Sequence, residues 1–284
     1  MIFQAHPNLI TPTTTEFKGL SGNIPFSWSI VFFILAGLFF LFGFYHRFAL
    51  PKPATDVPNP DLTAKNIMKE FGETFVSFFK KPQIVSALFF ILTFRFAEAQ
   101  LLKLINPFLL DTLGEGGLAL STKDVGIVYG TVGIIGLTVG GIIGGLVAAR
   151  DGLKKWLWGM TLSMLLTAAT FLFLSYSQTD NFWLINICVV VEQFGYGFGI
   201  TVLFLYMLYF AGGRDGNDRH KVAHYAFCTG FMALGMMIPG MFAGWLQKLL
   251  GYNHFFIWVM ICSIVPIIAV SLLKIDAGYG KKKV

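Results

Sequence analysis

The feature that most limits what this chain can become is a succession of continuous apolar runs, each about as long as ~30 Å of hydrocarbon demands. Inside a bilayer every backbone N–H and C=O must be bonded within the protein, so only helices and closed barrels span it. Barrel strands alternate apolar and polar residues, whereas these runs are unbroken, which excludes a barrel. Spans are read at 26–48, 84–110, 123–149, 155–177, 182–211, 222–249 and 254–274. The fold class is an all-α membrane protein with seven transmembrane helices. A hydrophobic share of 55% against 13% charged residues agrees.

The net charge of +6 is not a nucleic-acid signal. The basic residues stand in loops beside spans, which is how membrane topology is written. With the Lys281–Lys283 tail (residues 275–284) in the cytoplasm and the spans alternating, that side receives Arg47, Lys52, Lys65, Lys69, Lys80 and Lys81. It also receives Arg150, Lys154, Lys155, Arg214, Arg219, Lys221 and Lys274, while the other side receives only Lys18, Lys123 and Lys248. Residues 1–25 are then an extracytoplasmic segment; they are polar, rich in Thr and Pro, and lack the basic start and apolar core of a signal peptide. Residues 49–82 form a cytoplasmic linker that opens on Pro51, Pro53, Pro58 and Pro60. Its second part, 61–81, repeats Ile67, Met68, Phe71, Phe75, Phe78 and Phe79 at helical spacing, with Asp61 as N-cap, and reads as an amphipathic helix on the membrane surface. Cys188, Cys228 and Cys262 each lie in an apolar run and read as small buried hydrophobes.

Charges inside a bilayer are expensive and mark substrate or ion paths. The second span holds Arg95, Glu98, Gln100, Lys103 and Asn106. On a continuous helix Arg95, Glu98, Lys103 and Asn106 fall within an arc of roughly 140°, which must face protein or water. The fifth span holds Glu192 with Tyr196 one turn later, among Gly195, Gly197 and Gly199, which are expected to loosen that helix. Arg95 and Glu98 lie ~16–21 Å and Glu192 ~15 Å into their spans, near the bilayer middle. The third span is lined with glycines spaced for close helix approach or sliding. In the sixth, Pro239-Gly240 predicts a kink.

One span, a cytoplasmic linker with a surface helix, and six further spans resemble the sixth span, central linker and C-terminal six-helix bundle (83–274) of a twelve-span major facilitator. Gly145, Arg150, Asp151, Gly152, Lys154 and Lys155 resemble that family's signature between spans eight and nine, with Ala149 where its usual Asp would stand. Phe94-Arg95-Phe96-Ala97-Glu98-Ala99-Gln100, the 150–158 segment, Glu192-Gln193-Phe194-Gly195-Tyr196-Gly197-Phe198-Gly199 and His224-Tyr225-Ala226 are similar to AmpG-type muropeptide permeases and the related peptide/acetyl-coenzyme A transporters.

The resemblance implies proton-driven import of a muropeptide or a related glycan or peptide conjugate across a bacterial inner membrane. Alternating access needs two halves, so an N-terminal half is expected as a partner. Arg95 is expected to bind an anionic group, Glu98 or Glu192 to take up the proton, and Gln100, Asn106, Lys103 and Tyr196 to line the path. The signature residues would form a cytoplasmic gate. No cofactor or metal is expected, and the proton gradient supplies the energy. His46, His220 and His224 show no His–Asp or HExxH spacing, which argues against an enzyme. A facilitator for a sugar or organic anion, or a non-transporting receptor or assembly subunit, fits the same pattern.

Overall fold

A computed structural model of the chain describes residues 24–51, 63–213, 220–276 and 278–281. All regular structure among the described residues is helical. The chain divides after residue 62 into two compact units. The first contains α1 (Ile24–Ala49), whose 26 residues reach ~39 Å and end on His46 and Arg47. Its Phe-rich surface is exposed throughout.

The second unit begins with α2 (Ala64–Phe79), which starts from Thr63. Asp61, the expected cap, lies outside the described residues. One face of α2 docks on a later helix. Thr74 and Phe78 are buried, Thr74 Oγ1 hydrogen-bonds His220 Nδ1 at 3.1 Å, and Ser77 Oγ hydrogen-bonds His224 Nε2 at 3.0 Å. The other face exposes Ile67, Met68, Phe71 and Phe75. There follow α3 (Ile84–Thr93), α4 (Phe96–Leu110), α5 (Thr122–Ile127), a π-helical turn (Val128–Gly133), α6 (Ile134–Asp151), α7 (Leu153–Ser177), α8 (Phe182–Gly212), α9 (Lys221–Cys262) and α10 (Ile264–Ser271). Helices α3 and α4 are one span interrupted at residues 94–95, and α5, the π turn and α6 are another.

Among the described residues, six helices are long and apolar enough to cross a membrane. The last of them, Lys221–Ser271, counts 51 residues, or ~76 Å if straight, more than twice the hydrocarbon thickness. It does not run straight. Gly251 has φ 72° and ψ 167°, a conformation open to glycine and hostile to other residues. On either side the contacts reverse along α3 and α4. Gly235 sits on the Leu92 carbonyl and Gly240 on Ala99. Past the break, Tyr252 donates to Asp111 at 2.6 Å and Trp258 Nε1 donates back to Gln100 Oε1 at 2.8 Å. The run thus doubles back at Gly251, and its arms are the two spans read at 222–249 and 254–274. The kink expected at Pro239 is not a break, because helical dihedrals continue through it. A residue free of the left-handed penalty turns the chain, while proline only removes one internal bond.

Helix α8 lies between α6 and α7, and glycine sets how close it comes to each. Gly136, Gly140 and Gly144 on α6 face it, and Gly197 on α8 sits on the Leu137 carbonyl in return. Gly195 and Gly199 meet α7 at the Ser163 and Met160 carbonyls. The expected loosening of this helix is therefore corrected: α8 is unbroken over 31 residues. Its glycines are spent on close approach, which in lipid is what holds helices together. Gly126, Gly130 and Gly145 meet nothing within 4 Å. Gly235→Val should therefore lower thermal stability by about 1–3 kcal/mol through overpacking. Gly244→Ala, at a helical position with open space, should be neutral or stabilising by about 0.5–1 kcal/mol. Thermal unfolding of both detergent-purified variants checks the contrast.

Candidate functional site

The second span breaks where its first charge stands. Arg95 takes φ −98° and ψ 15°, outside regular helix, and acts as the residue from which α4 starts. Glu98 then falls in the first turn of α4, where unbonded N–H groups favour a carboxylate. The arginine folds back over that turn. Its Nε donates to Glu98 Oε2 at 2.5 Å and its Nη2 to Glu98 Oε1 at 2.6 Å. This two-pronged geometry is what a guanidinium offers and an ammonium cannot. Nη2 also donates to the Tyr196 hydroxyl on α8 at 2.7 Å, and the guanidinium carbon lies 5.6 Å from the centre of the Tyr196 ring. Arg95 is 8% exposed and Glu98 4%. A buried charge pair is tolerable only when its remaining donors and acceptors are met, and here a residue from a second helix meets them.

One turn before Tyr196, Glu192 is 2% exposed. Its Oε2 has no hydrogen-bond partner, and neither has the buried hydroxyl of Tyr129. Tyr129 interacts electrostatically with Glu192 and approaches Gln193. It stands on the π-helical turn, a widened geometry that recurs at functional positions. Sequence reasoning missed Tyr129. Its signal would have been a lone tyrosine between Gly126 and Gly130 in a span otherwise free of polar aromatics. An apolar groove of about 300 Å³, lined by Gly136, Val139, Val190, Val191 and Phe194 among others, lies between α6 and α8 and does not include Glu192.

The expected arc does not share one environment. Glu98 and Lys103 stand about 140° apart on the unbroken α4, and Arg95 and Glu98 point into the protein while Lys103 and Asn106 are exposed. Gln100 is buried but turns to α9, where it takes the Trp258 hydrogen bond and approaches Cys262 Sγ at 3.7 Å. The structure thus joins Arg95, Glu98 and Tyr196 directly and sets Glu192 and Tyr129 beside them. Lys103, Asn106 and Gln100 stand apart. Among the described residues no group of three His, Cys, Asp or Glu is placed to hold a metal ion.

At the far end of α6 the signature residues pair among themselves. Asp151 Oδ2 accepts from Arg150 Nη2 at 3.0 Å and from Trp156 Nε1 at 2.8 Å, with Lys155 Nζ at 3.3 Å. Gly152 turns the chain at φ 92°, and the Leu153 N–H that opens α7 donates to the Tyr279 carbonyl at 3.0 Å. Lys154 and Gly145 are exposed.

Comparison with known proteins agrees with this architecture. The model of the Major Facilitator Superfamily matches residues 19–217. A Rickettsia conorii protein that carries the name AmpG 4 is 26% identical over 190 residues, covering 67% of this chain and 43% of its own length. A Rickettsia typhi protein that carries the name AmpG 2 is 25% identical over 213 residues, covering 75% and 49%. An uncharacterised Haemophilus influenzae protein is 22% identical over 251 residues, covering 85% and 55%. The chain spans about half the length of these relatives. With the family model matched over well more than half of its residues and its apolar helices arranged as described, this chain is an integral membrane protein that belongs to the Major Facilitator Superfamily.

Proposed function

We propose that this chain is one half of a proton-coupled secondary transporter that imports a muropeptide, or a related glycan or peptide conjugate, across a bacterial inner membrane. The family and the AmpG-named relatives support transport of this kind. The observation that carries the reading is the Arg95–Glu98 fork closed on Tyr196 of a second helix, next to the unpartnered Glu192 Oε2. Opposite charges shared between two helices near the middle of the membrane suit a site that must bind, release and reset. The spans that complete the cleft come from a second half, on a longer chain or a separate one. The lysine and arginine asymmetry of the loops supports a cytoplasmic C-terminus.

The geometry divides the work. Both oxygens of Glu98 and two donors of Arg95 are committed to each other. An anionic group of the substrate reaches the Arg95 fork only as Glu98 withdraws, so Glu98 and substrate compete for one cation. Glu192 has an oxygen with no donor, and the Tyr129 hydroxyl next to it has none either. A proton arriving at Glu192 removes a desolvated negative charge and lets that carboxyl donate. Glu192 is thus the proton carrier, Glu98 the counterion that the substrate displaces, and Tyr196 the link between them.

Uptake by the complete transporter, reconstituted with its other half into liposomes, tests this. Uptake should rise as the external side is acidified, and Glu192→Gln should flatten that dependence. Arg95→Lys, which keeps the charge and loses the fork, should reduce uptake about tenfold or more. If Glu98→Gln and Glu192→Gln both leave the pH profile as in the wild type, the coupling role is refuted. A stability measurement separates architecture from transport. Arg95→Leu should destabilise by about 3–5 kcal/mol by leaving Glu98 buried and uncompensated, and Arg95→Leu with Glu98→Leu should restore much of that loss.

A further inference from the structure

A second constellation lies far from Arg95. A cavity of about 370 Å³ opens where three apolar helices stop: just before α3, at the end of α8, and just past α10. Because the spans end here, the cavity lies at the depth where acyl chains give way to headgroups. Its inner wall is aromatic, from Tyr206 and Phe210. Its rim carries Lys81, from the turn into α3, and Lys274, from the segment after α10. The Lys81 ammonium is held in place: it donates to the Ala211 carbonyl at 3.1 Å and lies 5.8 Å from the centre of the Phe210 ring. On the opposite side Asp276 accepts the Tyr209 hydroxyl at 3.2 Å. This is also the basic end of the bundle, since the tail carbonyl of Tyr279 meets Leu153 beside Arg150, Lys154 and Lys155.

We propose that this cavity seats the phosphate of an anionic phospholipid headgroup, with Lys81 and Lys274 as its cationic partners and the Tyr206 and Phe210 rings against the glycerol end. Lysine binds phosphate as a point charge, and a long stem lets it reach the headgroup level from a buried root. Basic pockets between spans at the membrane surface hold such headgroups. A free phosphate ion would satisfy the lysines and leave the aromatic wall without a partner, so depth and lining both favour the lipid. An occupant here bridges the root of α3 to the end of α8. The spans they belong to, Ile84–Leu110 and Phe182–Gly212, carry the Arg95–Tyr196 contact, so the lipid would brace the site from one membrane face. The inference does not rest on the transport reading.

The test uses the full chain in nanodiscs of phosphatidylcholine with or without phosphatidylglycerol of the same acyl chains, at constant salt. Phosphatidylglycerol should raise the unfolding temperature by a few degrees, as a ligand bound only by the folded state does. Lys81→Gln with Lys274→Gln should lose that increment and behave as the wild type in phosphatidylcholine. Should loss of the Lys81 contact to Ala211 prevent folding, Lys274→Gln alone should lose about half. Lys65→Gln with Lys69→Gln, which removes the same charge from exposed α2, should keep the whole increment. Equal loss in that control would overturn the site in favour of diffuse surface attraction. The same increment from millimolar inorganic phosphate in phosphatidylcholine would overturn the lipid assignment in favour of a free anion. No increment in the wild type would overturn the proposal outright.

Discussion

A guanidinium placed in the middle of a membrane-spanning segment is the constraint from which the local structure follows. Hydrocarbon offers Arg95 neither water nor counterions, so the protein must supply both roles. It does so by interrupting the span at residues 94–95, which puts Glu98 in the first turn of a new helix and lets the side chain of Arg95 fold back across it. The remaining donor needs a partner from elsewhere, and Tyr196 provides it only because α8 can come close. Glycines at 136, 140, 144 and 197 separately set how close α8 comes to α6, where any side chain would hold those two helices apart. Charge pair and helix break are therefore one solution rather than two features.

How much of this was legible from residues alone varies with the kind of force involved. The spans were, because bilayer thickness imposes a length that composition cannot hide. Their ends agree with the helices to within a few residues. So was the burial of Arg95, Glu98 and Glu192, since the need to keep charge from lipid is independent of tertiary detail. What faces each part of the second span was not. An arc of about 140° is wide enough to hold buried Arg95 and Glu98 toward one edge and exposed Lys103 and Asn106 toward the other. The turn at Gly251 was legible as the gap between the spans read at 222–249 and 254–274, whereas the kink expected at Pro239-Gly240 is not a break in the backbone. Tyr129 was overlooked because its relevance comes from a π turn that places its hydroxyl by Glu192, a relation across 63 residues.

The glycines near Glu192 carry the same lesson about context. Three in five residues suggest a soft helix by propensity, and in an isolated peptide they would make one. Here each of the three meets a neighbouring carbonyl or side chain, and many residues of the helix they occupy are buried. Whatever mobility a transport cycle demands must then come from faces not already filled. Gly126, Gly130 and Gly145 lie on such a face of the α5–α6 span, with open space before them. Lys103 and Asn106 are exposed in the same sense on α4. Polar groups at that depth are unfavourable against lipid, which is a physical reason to expect protein or water opposite them in the membrane.

The loop between α6 and α7 shows how a departure from the family pattern is absorbed. With Ala149 exposed where an Asp is usual, no acid is available at that position to reach across the loop. Asp151, two residues later, instead gathers Arg150, Lys155 and the Trp156 indole around itself. Such contacts at an exposed surface are weak individually and sensitive to salt. The firmer fastening is in the backbone. Gly152 at positive φ turns the chain, and the Leu153 N–H, an orphan donor at the start of α7, is taken by the tail carbonyl of Tyr279. The tyrosine ring in turn packs edge-on against Tyr209 at 4.7 Å between centres. In this chain the position of the signature loop is thus set by its own C-terminal segment and the end of α8, and its surface charges are left to orient side chains rather than to hold the loop in place.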